Sequence, residues 1–580
     1  MTAAAQSRAR ELIVQKLLWW REHGPTASGS SDKPILERII AFITGGASRD
    51  YLPLLEHELA LSADHGAPKW SKAEIAPQRD FSVVVIGAGA SGIAAAHRLY
   101  QAGVPFVVIE KNSDVGGTWW ENNYPGCRLD TPNYAYSYSF AQKEDWPEQF
   151  SQQREIRDYF RGISKDLGLR RHMRFNTEVT AATYQEAEGR WQLTLRHADG
   201  REEVLTAQAV ISAVGQLNQP KYPDIPGVDR FAGTAFHSAR WPDNLDLTGK
   251  RVAVIGAGAS AYQIVPAIAA QVGVLKVFQR NAPWMLPTPN YHEKIPEGMQ
   301  KLFQEVPGYA RWFRFWQFWI AMEGRMPFVC VDPDWQGKHA VSAKNEVLRS
   351  QLVAQLEKQF SDRPDLLAKA MPSYPPGAKR MLRDNGVWAE ALKRDHVELV
   401  TDGIARITER GIITADGREH EVDVIVYATG FLASDFLNTV NMTGRDGTSL
   451  EQRWKGDAKA YLGITIPNFP NFFALYGPNT NLVVSGGSIL FMAECAIEYT
   501  MECLRVILEK DVKALECHEQ ACQAFSDEID AANARMAWGA SSVSSWYKNE
   551  KGRVSQNWPH SVLRYWQLTR THNLPDYEVQ

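Results

Sequence analysis

Short apolar runs alternate with glycine turns and helical stretches through the middle of the chain. Residues 82–86 read Ser-Val-Val-Val-Ile, followed by Gly87-Ala-Gly89-Ala-Ser-Gly92 and a helical stretch from Ile93 to Ala102. A second apolar run, residues 106–109, ends at Glu110. The unit then recurs as residues 252–255, Gly256-Ala-Gly258-Ala-Ser-Ala261, a helix, and the run 275–279 ending before Arg280. Uninterrupted apolar runs between helices predict parallel strands covered on both faces. Asp423-Val-Ile-Val-Tyr-Ala-Thr-Gly430-Phe431 predicts a further strand closing in a glycine turn.

Residues 1–64 read as separate small helices. Ile13, Leu17 and Trp20 share one helical face, Leu36, Ile39, Ile40 and Ile43 a second, and Leu52, Leu55 and Leu59 a third. Gly24-Pro-Thr-Ala-Ser-Gly-Ser-Ser31 separates the first two. Helices this small need to bury their faces on the main body or on a second subunit. The Pro- and charge-rich residues 65–80 predict a linker. Residues 287–378, helix-rich and charged with Trp312, Trp316 and Trp319 among them, predict an insertion. The expected division is a helical extension and linker (1–79), a first nucleotide-binding part (80–220) and a second nucleotide-binding domain carrying the insertion (221–395). Residues 396–580 would complete the first domain and the C-terminal region.

A chain of 580 residues exceeds what one core supports, so two or three domains are expected. The net charge of −4 provides no basic surface for nucleic acid or an anionic membrane. No apolar run approaches a membrane span, and no secretory signal pattern opens the sequence. The six cysteines contain no CxxC, and their closest pair is Cys517 and Cys522. Neither a disulfide framework, a dithiol centre nor a metal site is expected. These features predict a cytoplasmic protein. The 19 Trp predict an aromatic core and aromatic pocket walls.

The two glycine loops carry specific chemistry. A dinucleotide pyrophosphate needs a tight turn (Gly87), backbone room (Gly89) and close helix–strand packing (Gly92) at a helix N-terminus. Glu110 stands where a carboxylate accepts hydrogen bonds from the adenosine ribose. In the second loop, Gly256 and Gly258 precede Ala261, which the fingerprint tolerates. Arg280 replaces the acid at the end of its second strand and suits a 2′-phosphate, favouring NADPH over NADH. One dinucleotide would be a resident FAD and the other NADPH as hydride donor. The expected fold class is α/β: two Rossmann-like dinucleotide-binding domains with a helical insertion and a helical N-terminal extension.

Between the loops lies Phe231-Ala-Gly233-Thr-Ala-Phe-His237-Ser-Ala-Arg-Trp241-Pro. With Gly116-Gly117-Thr-Trp119-Trp-Glu-Asn-Asn-Tyr124-Pro125-Gly126-Cys-Arg128-Leu-Asp130, it makes residues 80–570 resemble the type I Baeyer–Villiger monooxygenases. Three further stretches are most similar to the 4-hydroxyacetophenone monooxygenase-like group. They are Tyr51-Leu-Pro-Leu-Leu, the run from Phe469 to Asn481, and Trp546 to Trp558-Pro.

The resemblance implies insertion of one oxygen of O2 beside a ketone carbonyl, through a flavin C4a-peroxide, to give an ester or lactone. It implies that Arg380 is the catalytic cation, that Asp130 holds it, and that Lys379 joins Arg280 on the 2′-phosphate. Trp119, Tyr136, Val179 and Asp130 would contact FAD. Arg128, Leu129, Asp130, Arg380, Asn281 and Trp546 would lie near NADP. His237 is expected to be a hydrogen-bonded hinge and not a general base. The N-terminal extension would form a homodimer. Two positions depart from the family pattern: Asn281 stands where Thr or Ser is common, and Cys127 is exposed to oxidation by leaked peroxide. A flavin monooxygenase of sulfides or amines, and a flavin protein without turnover, are the alternatives. The ketone is not legible in the sequence.

Overall fold

The computed structural model describes residues 2–24, 33–46, 49–60, 64–322, 325–483, 488–571 and 573–580. The segment Pro25–Ser31, expected to separate the first two helices, lies outside the described residues, as does part of the 480–490 loop. Two five-stranded parallel sheets organise the chain. In the first, Phe472–Ala474, Ala209–Ser212, Val83–Ile86, Phe106–Ile109 and Met173–Arg174 lie in that spatial order. In the second, the order is Val397–Val400, Val274–Phe278, Arg251–Ile255, Val424–Tyr427 and Thr234–His237. Each glycine loop follows the central strand of its sheet, where a doubly wound sheet opens a crevice. Every residue of Val83–Ile86 is buried, which is why the run is apolar without alternation.

The expected domain boundary at residue 396 is corrected. Val397–Val400 and Val424–Tyr427 both belong to the second sheet, so that unit extends past residue 395. The chain returns to the first sheet only with Phe472–Ala474. A parallel sheet takes its strands from wherever crossovers deliver them, and linear composition carries no mark of that exchange. The insertion does contain the helices Glu297–Glu305, Tyr309–Met322, Ala343–Gln359 and Pro364–Ala370. A two-stranded parallel pair, Met285–Pro287 with Leu382–Asp384, closes it at its base.

The extension behaves unevenly. Helix Leu52–Leu59 buries Leu54, Leu55 and Leu59 against Phe315, Phe318 and Phe491. Lys33–Thr44 buries Ile40 alone, and Ala3–His23 buries no residue, leaving Leu12, Ile13, Leu18 and Trp19 exposed. The face expected to bury Ile13 is therefore not covered by the main body. Residues 65–80 are not a loose linker. Ser71 closes a capping box on Lys72–Ile75, and the Arg79 guanidinium donates to the carbonyls of Ile507 and Val512.

Beneath the extension lies a buried ionic network. Arg314 donates to Glu58 Oε2 at 3.1 Å, to the Glu58 carbonyl at 2.9 Å and to the Ser137 carbonyl at 3.2 Å. The two side chains are 3% and 1% exposed. Glu494 accepts from Ser139 N at 3.1 Å and Oγ at 2.8 Å, and Arg98 pairs with Asp64. Extension, insertion, first domain and C-terminal helix Ile489–Glu509 all meet here.

Candidate active site

The two glycine loops face one continuous cavity of about 1570 Å³. Gly87 has a φ of +100°, and a Cβ there would stand 2.8 Å from the Ala213 carbonyl oxygen. A Cβ on Gly92 would meet the Gly87 carbonyl at 1.9 Å, so the helix Ala90–Gln101 sits directly on its loop. Gly256 repeats the first position, with φ +120° and 2.3 Å to the Ala428 oxygen. Gly258 faces open space, as phosphate approach requires, and Ala261 is fully buried. Gly92 and Ala261 thus pack the loops, whereas Gly87, Gly89, Gly256 and Gly258 line the cavity.

Glu110 is buried and accepts from Ala88 N at 2.6 Å and Asn112 N at 2.8 Å. Burial holds its carboxyl above the usual range despite those two bonds. Trp119 Nε1 donates to the Tyr136 hydroxyl at 2.9 Å, fixing both rings on the cavity wall. Val179, on strand Thr177–Gln185, and half-buried Trp546 line the same cavity.

Asp130 and Arg380 meet across the cavity. Asp130 Oδ2 accepts from Arg380 Nε at 3.0 Å and Nη2 at 2.5 Å. Burial alone would raise the Asp130 carboxyl, but Arg380 and then Arg383 hold it below the ordinary range. Asp130 in turn raises the Arg380 guanidinium further, so the pair is ionised at any working pH. Strand Leu382–Asp384 is anchored to Met285–Pro287, and this positions Arg380 just ahead of it. Arg383 Nε donates to the Asp130 carbonyl, and its guanidinium lies 4.8 Å from the Phe150 ring centre.

Lys379 and Arg280 line the cavity together. Burial, then the Arg280 charge, lowers the Lys379 ammonium below its ordinary value. Among the described residues no carboxylate pairs with either, so the site lacks an anion. Asn281 is beside them on the wall.

Arg128 is committed elsewhere. Its guanidinium donates to the Tyr291 carbonyl at 2.8 Å and lies 3.3 Å from Glu148. Gln263, on the helix after the second loop, donates to the Arg128 carbonyl at 2.9 Å and accepts from its N–H at 3.3 Å. Arg128 therefore joins the two domains, and Leu129 beside it lines the same cavity. Cys127 lines the cavity but is 7% exposed, and burial pushes its thiol up to about 12. The thiol is therefore protonated near neutrality, while its place on the cavity wall keeps it within reach of the cavity contents.

His237 is fully buried and is not among the cavity-lining residues. Ala239 N donates to its Nδ1 at 3.1 Å, so Nε2 carries the proton and donates to the Gly430 carbonyl at 2.8 Å. Burial lowers its pKa and keeps the ring neutral. The ring thereby ties strand Thr234–His237 to the turn after Val424–Tyr427. Replacing it with Ala is expected to slow flavin reduction by NADPH severalfold and to divert turnover to hydrogen peroxide, with FAD content preserved. Stopped-flow reduction at wild-type rate would remove the hinge role.

Arg383, Arg325 and the buried Tyr547 hydroxyl close to Arg380 were not singled out from sequence. Arg383 follows Arg380 by three residues and was legible as part of the same basic run. Arg325 arrives from the insertion, and no local pattern marks it.

Residues 80–293 match the Flavin-binding monooxygenase-like family model. A monooxygenase of Sinorhizobium fredii is 37% identical over 582 residues, covering 100% of this chain and 87% of that protein. A Baeyer–Villiger monooxygenase of Streptomyces coelicolor is 36% identical over 500 residues, covering 86% of this chain and 92% of its own length. The chain belongs to the type I Baeyer–Villiger monooxygenases. A crystal structure of OTEMO in complex with FAD and NADP superposes with a TM-score of 0.74 at 29% identity, covering 86% of this chain and 99% of that one. FAD and NADPH are the cofactors of this monooxygenase. Its residues fit them: two cradles that a Cβ would fill, a buried acid at the first and an unpaired Arg–Lys couple at the second. Among the described residues no helix is long and apolar enough to cross a membrane, and no metal-binding cluster occurs.

Proposed function

We propose that this monooxygenase inserts oxygen beside a ketone carbonyl by means of the Arg380–Asp130 pair, giving an ester or lactone. When bound, NADPH would supply two electrons and FAD would use them to activate O2, one atom of which enters the product while the other leaves as water. The observation that carries the reading is a permanently charged guanidinium held by a carboxylate in the cavity shared by both nucleotide loops. Arg380 stabilises negative charge on the carbonyl oxygen of the substrate as a fourth bond forms at its carbon. Asp130 orients the guanidinium and keeps it from turning to solvent. Gly87, Gly89, Gly92, Glu110, Trp119, Tyr136 and Val179 hold FAD. Gly256, Gly258, Ala261, Arg280, Asn281, Lys379, Leu129 and Trp546 hold NADPH, with Arg280 and Lys379 on the 2′-phosphate.

The N-terminal helices and the stretches 469–481 and 546–558 support placement beside the 4-hydroxyacetophenone monooxygenase-like group. Exposed Leu12, Ile13, Leu18 and Trp19 support a homodimer through the extension. The six free thiols support a cytoplasmic location. The test is a ketone panel with FAD-loaded enzyme, NADPH and air, products identified by mass. An added oxygen and a new ester are expected. Oxidation of thioethers and amines alone, with every ketone returned intact, would overturn ester formation in favour of heteroatom oxygenation.

A further inference from the structure

The guanidinium groups of Arg325, Arg380 and Arg383 all line the cavity. Arg380 and Arg383 both bond to Asp130. Arg383 uses Nε on the Asp130 carbonyl and stacks on Phe150, and its Nη groups have no hydrogen-bond partner among the described residues. The Arg325 guanidinium has neither an ion-pair nor a hydrogen-bond partner among them, and burial alone lowers it below the ordinary value. Burial, then the charge of Arg325, lowers the Arg383 guanidinium to about 10. Two desolvated cations beside each other are costly unless an anion joins them.

NADPH does not account for that anion. On the reading above, its 2′-phosphate rests on Arg280 and Lys379, and its pyrophosphate on the Gly256–Gly258 loop. Arg383 stands instead on the Asp130 carbonyl, beside Arg380, and Arg325 lines the same cavity within range of the Arg383 charge. A guanidinium is planar and suits a carboxylate, which accepts bidentate bonds from it.

We propose that Arg325 and Arg383 form an anion subsite, and that the preferred substrates are ketones bearing a carboxylate. The proposal rests on the Baeyer–Villiger reading of the same cavity. Arg325 comes from the insertion, so the segment that covers the cavity would also read the substrate's charge.

The test compares straight-chain oxo-acids of increasing length, each with its neutral methyl ester, on FAD-loaded enzyme at saturating NADPH and physiological salt. For the chain length that fits, kcat/KM is expected to favour the acid by at least about tenfold. Arg325→Met should reduce the acid-to-ester ratio by about tenfold, equivalent to about 1.4 kcal/mol. A preference for the ester at every length, or a ratio unchanged by Arg325→Met, overturns the proposal. A raised KM for NADPH with an unchanged ratio also overturns it, because Arg325 then serves the dinucleotide. Binding is read separately from turnover, by the flavin absorbance change on titrating oxo-acid into enzyme holding FAD and NADP. Tight, Arg325-dependent binding without ester formation would uphold the subsite while removing the ketone-oxygenation reading.

Discussion

Arg380→Met is expected to lower ester formation by about 10²–10³-fold, the usual effect of deleting one preorganised charge at a developing oxyanion. NADPH consumption should continue in part, with hydrogen peroxide replacing ester. Arg380→Lys should recover little of the loss. Both Nε and Nη2 of Arg380 point at the same Asp130 oxygen, and a single ammonium cannot reproduce that fork. Asp130→Ala acts through its partner. It leaves the charge of Arg380 in place but removes what aims it, so ester yield should fall far more than FAD binding. The paired assay is flavin content by absorbance against ester by mass spectrometry. Wild-type ester yield from either the Met or the Ala variant would remove the pair from the mechanism.

The second large effect lies away from the chemistry. Glu58→Ala strands Arg314, whose side chain is 3% exposed, without its only carboxylate partner among the described residues. Breaking a buried pair from one side costs about 3–5 kcal/mol. The thermal transition should fall by about 2–4 °C, and proteolysis should release the N-terminal helices first. The same network sets a pH dependence. Burial disfavours the protonated His57 ring, yet Glu498 and Glu58 raise its pKa from 6.5 to about 9. Its stabilisation is complete below 6.5 and is lost as pH rises through 9. Burial, then Glu58, raises Glu494 from 4.5 to about 7, so the folded state holds an extra proton between those values. That contribution is lost as pH rises through 7. Both slopes descend toward alkaline pH, and Glu58→Ala should flatten them. A stability that rises between pH 6 and 9 would contradict the network as described.

The nucleotide loops were legible because their demands are local. Gly87 and Gly256 must adopt positive φ against a neighbouring carbonyl, and Glu110 must end the second strand. The Arg380–Asp130 pair was not legible that way. The partners stand far apart in sequence, and only the family resemblance joined them. Linear reading misplaced the boundary at residue 396 because Val397–Val400 and Val424–Tyr427 join a sheet begun far upstream. It also read Arg79 as part of a linker, since nothing local shows that two carbonyls of another segment await its guanidinium. Arg325 is the sharpest case: a basic residue beside a turn, given meaning only by the fold that sets it near Arg383.

The short parallel pairing of Met285–Pro287 with Leu382–Asp384 has an evolutionary consequence. Closure entropy rises only slowly with loop length, so a loop sealed at its base tolerates growth or trimming beyond the seal where Arg314 keeps its Glu58 partner. Arg380 emerges from the sealed end and keeps its place whatever the helices beyond become. Lineages can therefore exchange the helical cover as a cassette and acquire new substrates while inheriting the oxygen chemistry unchanged. Grafting the helices of residues 297–370 from a relative, with the Arg314–Glu58 pair and Lys379-Arg380 kept, is the corresponding route to altered selectivity by design.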